Sequence, residues 1–200
     1  MNHEQIQHEI SIIKSMIKKT RRETAESGHL FIFMGIMAIV FVLVVSLLEL
    51  YHLHQWVLPI MIALTVLNGM LGYLIVGRAE QKEKVTSYPK TIVLYLWVIC
   101  SVNIILLTFL FPYLKIYSFK ALPVLVSLTA GIGVFMTGII YEMRFFRWFS
   151  IIWWVGAVLM AVIQSQYLFL IMIASIIIGW IIPGFILNKQ YKNRSNENES

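Results

Sequence analysis

Glu49, His52 and His54 lie within one six-residue stretch, and two imidazoles with a carboxylate form a donor set for Zn²⁺ or Cu²⁺. Glu49 and His52, three residues apart, share a helical face, but His54 joins them only if the helix ends between the two histidines. The pattern reads first as polar residues at a membrane surface, with a metal site as the sharper alternative. Glu49 is also expected to pair with Lys115 or Lys120. Asn68 and Asn103 raise a second chemistry, because each is an uncharged amide inside an apolar run. Such a group either makes an interhelical hydrogen bond or lines a polar cavity for a small solute. No catalytic residue, cofactor or resident metal is expected. The chain has no HExxH, no GxSxG and no Asp at all, and its five histidines stand at positions 3, 8, 29, 52 and 54, none within an apolar run deep enough to activate a buried serine. Gly131-Ile132-Gly133 has no Lys-Ser or Lys-Thr after it and reads as helix packing, not as a phosphate loop.

The elements that must hold these residues are six apolar runs, 30–50, 56–77, 91–113, 121–141, 145–164 and 167–187. Each is close to the ~20 residues that cross ~30 Å of hydrocarbon. With 59% apolar and 13% charged residues and a mean hydropathy of +0.79, the composition is that of a membrane protein. A soluble domain carries about 25% charged residues. The chain outside the runs is too short for an ATPase, kinase or DNA-binding domain, and no nucleic-acid partner is expected. The expected fold is all-α: a polytopic bundle of six transmembrane helices with an N-terminal cytoplasmic amphipathic helix. Because the first run follows a charged segment, it is read as a retained span and not a cleaved signal peptide. Of the 16 Lys and Arg, all but Lys115 and Lys120 fall before run 1, between runs 2 and 3, around the junction of runs 4 and 5, or after run 6. The positive-inside rule then puts both termini in the cytoplasm of a bacterium, with the spans in its inner membrane.

Ile6, Ile10, Ile13 and Ile17 make one apolar helical face in residues 1–29, surrounded by Lys14, Lys18, Lys19, Arg21 and Arg22. This leader is expected either to lie on the lipid surface or to dock a membrane or cytoplasmic protein partner or a second copy of the chain. Residues 188–200 are polar and aperiodic and are expected to be disordered. Cys100 is the single cysteine, so no intramolecular disulfide forms.

Small residues recur at helical spacing: Thr65, Gly69 and Gly72 in run 2; Ala130, Gly131, Gly133, Thr137 and Gly138 in run 4; Ser175, Gly179, Pro183 and Gly184 in run 6. Since small residues let helix backbones approach closely in lipid, runs 2, 4 and 6 are expected to converge on the inner side. Ala157 and Ala161 add a further small pair in run 5.

The leader EISIIKSMIKKTRRETAESGHLFIF, the six tight spans and the exit GWIIPGFILNKQYK resemble a group of uncharacterised small six-span bacterial inner-membrane proteins, a resemblance that brings no activity with it. In size and span number the chain is also similar to the substrate-binding S-components of energy-coupling-factor importers. Their first helix carries an AxxxA docking motif. Here helix 1 has Gly35 and Ala38, and the AxxxA falls at Ala157 and Ala161. The expected function is that of a non-enzymatic structural or regulatory membrane protein assembling through its leader and small-residue faces. The alternative is a small-molecule or ion permease, or the substrate-binding membrane subunit of an importer, built around Asn68 and Asn103.

Overall fold

The computed structural model describes residues 7, 11–12, 28–80, 88–163 and 167–197. Among them there is no strand, and six helices are long and apolar enough to cross a membrane: Phe31–Leu50, His54–Leu74, Thr91–Tyr113, Phe119–Ile140, Arg144–Ile163 and Leu168–Lys189. They are called spans 1 to 6. The chain is a multi-pass, all-α membrane protein. In the leader Gln7, Ser11 and Ile12 are helical, while the Ile6, Ile10, Ile13 and Ile17 stripe lies outside the described residues. The expected disorder of 188–200 is corrected, because one helix runs Ile182–Glu197. No Gly or Pro follows Gly184 to stop it, and Lys189, Lys192 and Arg194 suit the negative end of a helix.

Spans 1, 3 and 4 end in the same way. Leu53, Ile116 and Met143 donate their N–H groups to the carbonyls of Leu48, Phe111 and Gly138, while His52, Lys115 and Glu142 donate to Glu49, Pro112 and Ile139. This is the Schellman arrangement, which needs a left-handed residue. His52, Lys115 and Glu142 fill that position with φ of 56°, 56° and 54°, where glycine is the unstrained choice. Lys115→Gly is therefore expected to raise stability by about 1 kcal/mol, since an L residue is strained there. Thermal unfolding in detergent checks it, and an unchanged or lower midpoint would count against the strain.

Spans 3 and 6 each contain a π turn, Leu106–Leu110 and Ile177–Ile181, ending two residues before Pro112 and Pro183. In each, the residue before the proline gives its N–H to the carbonyl five back: Phe111 to Leu106, and Ile182 to Ile177. The next carbonyls, Leu107 and Ile178, then face a proline that has no N–H to offer. At Leu107 the Tyr117 hydroxyl takes over as donor, and burial holds that phenol above its usual pKa.

Spans 4 and 5 form the closest pair, joined by a tight hairpin through Tyr141, Glu142 and Met143. Span 3 packs on span 4, span 6 sits between spans 1 and 5, and the substantial packing of span 2 is against span 1 alone. The larger core joins Phe31, Ala130, Val134, Phe146, Trp153, Ile176 and Trp180 from spans 1, 4, 5 and 6, with Trp97 of span 3 against it. The expected convergence of runs 2, 4 and 6 is corrected. Four glycines of spans 4 and 6 receive bulky residues of their neighbours instead of one another. Gly133 lies under Trp97, Gly131 under Trp154, Gly138 against Phe146 and Gly179 against the Trp153 indole. In span 5 Ala157 is buried and Ala161 exposed, so the two do not share a packed face within the chain.

Candidate functional site

The outer end of span 1 brings two of the three candidate metal ligands together. Its helix ends at Leu50 and the next begins at His54, so the left-handed turn at His52 sets the His52 and His54 rings 6.0 Å apart, edge to face. Glu49, half-buried on the last turn of the helix, does not complete a three-ligand group with them, and among the described residues no metal-holding group of three occurs. The expected ion pair is also absent there: Glu49 is not joined to Lys115 or Lys120, both of which are exposed. Lys115 is held in its own left-handed turn, which directs the connection between spans 3 and 4.

Asn68 and Asn103 do not share a site. Asn103 donates from Nδ2 to Thr129 Oγ1 at 2.9 Å, and Thr129 in turn donates to the Leu125 carbonyl at 3.1 Å. Thus the amide of span 3 is spent on holding span 4. Asn68 is half-exposed on span 2 and makes no hydrogen bond among the described residues. A side chain added at Gly69 or Gly72 would meet nothing within 4 Å. Thr65 of the same helix turns its hydroxyl back to the Met61 carbonyl at 2.8 Å.

The interior is filled by rings. Trp153 is wholly buried and Trp180 nearly so, with centroids 5.0 Å apart, and Trp97 and Phe31 continue the cluster by edge contacts. Neither the Trp153 nor the Trp180 indole N–H has a hydrogen-bond partner among the described residues. A buried donor left without an acceptor costs about 1–3 kcal/mol. Sequence reasoning passed over these tryptophans. The available signal was Pro183 inside an apolar run, which marks a disturbed turn next to Trp180. It also missed the contact of spans 1 and 6, where Gly28 and Gly184 meet backbone to backbone and Asn188 Nδ2 lies 3.3 Å from His29 Nδ1.

No protein-family model matches this chain, and no curated protein or solved structure is significantly similar to it.

Proposed function

We propose that the protein is a non-enzymatic structural or regulatory component of a bacterial inner membrane, with both termini cytoplasmic, and that it works by assembling with a second copy of itself through span 2. One observation carries the reading: on span 2 the half-exposed Asn68 has no hydrogen-bond partner among the described residues, and a Cβ at the adjoining Gly69 or Gly72 would meet none of them within 4 Å. A carboxamide facing lipid leaves donors and acceptor unpaired, which an apolar medium penalises. An amide is both donor and acceptor, so across a two-fold axis Asn68 complements the same residue of a second copy. The adjacent glycines would let the two backbones approach closely enough for that bond. The leader, with its cations and apolar stripe, would add lipid attachment or a second contact.

The test is the mass of the full-length protein in mild detergent, beside Asn68→Leu and a version lacking residues 1–26. The expected result is a dimer that Asn68→Leu weakens, by about 1 kcal/mol for one interhelical hydrogen bond in a membrane. The melting midpoint of the Asn68→Leu monomer should be unchanged, because Asn68 bonds none of the described residues of its own chain. A wild-type protein that stays monomeric at membrane-like concentrations would overturn the reading, as would a dimer indifferent to Asn68→Leu. Loss of the dimer on truncation alone would move the interface to the leader.

A further inference from the structure

The basic face of the bundle carries a groove of about 340 Å³ lined by Gly138, Ile139, Glu142, Arg144 and Arg147. Its walls follow from the hairpin between spans 4 and 5. The left-handed turn at Glu142 ends span 4, Arg144 opens span 5, and Arg147 follows three residues later on the same side of the helix. Gly138 supplies the floor: a side chain there would come within 3.1 Å of Arg147 Cγ, so only its absence lets the arginine stem lie against span 4. Glu142, Arg144 and Arg147 are all exposed, and no ion pair joins them to any described residue. Trp148, next in sequence and 72% exposed, is of the type that settles at the headgroup level. Ile139, 46% exposed, gives the groove an apolar rim on the span 4 side.

We propose that this groove binds the headgroup of an aminophospholipid, with its phosphodiester on Arg144 and Arg147 and its primary ammonium on Glu142. Two guanidinium groups one helical turn apart match the charge and donor demands of a phosphodiester, and the free N–H groups that open span 5 add to the positive field. The third wall decides the headgroup. With a purely anionic lipid Glu142 would have to share the two guanidinium groups with the phosphate it repels, whereas an ammonium two carbons from the phosphate pairs with Glu142 and leaves both arginines to the phosphodiester. Ile139 receives the start of an acyl chain, which separates a lipid from free phosphate.

The experiment is native mass spectrometry and thermal unfolding of the full-length protein with phosphatidylethanolamine, phosphatidylcholine and phosphatidylglycerol added in turn to a lipid-free detergent. Phosphatidylethanolamine should bind about threefold or more tightly than either other lipid, the scale of one exposed ion pair. Phosphatidylcholine keeps the phosphate and loses the ammonium hydrogens; phosphatidylglycerol loses the amine. Glu142→Gln should abolish the preference for phosphatidylethanolamine over phosphatidylglycerol, and Arg147→Gln should weaken both. All three side chains are exposed, so the lipid-free melting points of these variants should stay near wild type and keep the comparison valid. Equal binding of the three lipids, a preference for phosphatidylglycerol, or a phosphatidylethanolamine preference that survives Glu142→Gln would each overturn the assignment. None of these readouts depends on whether the protein dimerises through span 2.

Discussion

Trp153→Ala is expected to cost about 3–5 kcal/mol, the range for emptying a buried aromatic site. Trp153 has no exposed surface and packs against two neighbouring spans: span 6 at the Trp180 ring, 5.0 Å between centroids, and at Gly179, and span 4 at Gly131. Truncation would leave a void that the rigid helices on either side cannot close. Trp153→Phe separates volume from polarity. It keeps most of the ring but removes an N–H that has no acceptor among the described residues, so the lost contacts are offset by relief of a penalty of about 1–3 kcal/mol. Reversible unfolding in mixed detergent micelles checks both variants. If Trp153→Phe proved as damaging as Trp153→Ala, the indole N–H would have to be paired in the native protein.

The second large effect is expected at Gly184. A Cβ there would stand 2.9 Å from the Gly28 carbonyl oxygen and 3.2 Å from the Ile32 nitrogen, and a Cβ at Gly28 would meet the Gly184 carbonyl at 2.9 Å. The obstacle is backbone on both sides, so no side-chain rotation relieves it and the helices must separate. Gly184→Val is expected to cost at least the 1–3 kcal/mol or so of an overpacked core. Gly69→Ala, with nothing within 4 Å, should instead leave the monomer fold unharmed or gain about 1 kcal/mol of helix propensity. Melting midpoints of the two variants in monomerising detergent should move in opposite directions. Equal shifts would mean that spans 1 and 6 are not in backbone contact.

The spans were legible because their lengths follow from the thickness of a bilayer, and a run such as Ala121–Tyr141 needs no knowledge of its neighbours to be recognised. The helix ends were less legible. His52, Lys115 and Glu142 occupy positions where glycine would have announced the turn, and a charged residue in the same place looks like ordinary interfacial polarity. The glycines were visible but their partners were not. Spacing at 131, 133 and 138 says that something comes close, and it cannot say whether a backbone or an indole does; here the indoles of Trp97 and Trp154 and the Phe146 Cβ do. For the same reason Asn68 and Asn103 looked equivalent. Only the assembled bundle separates an amide that bonds Thr129 from one with no partner among the described residues.

A π turn is in effect an α-helix with one residue too many, and that surplus has a rotational consequence for span 6. Left in α-helix, one added residue would turn everything after it by about 100° around the axis, and the wide turn takes up that rotation. Ser175 before the turn and Gly179 within it meet span 5; beyond it, Gly184 meets Gly28 and Ile32 of the helix that carries span 1. The wide turn at 177–181 thus keeps the faces before and after it in register with spans 5 and 1 despite the surplus residue. Deleting a single residue there is expected to close the wide turn into ordinary α-helix, with Gly184 keeping its place against the first helix.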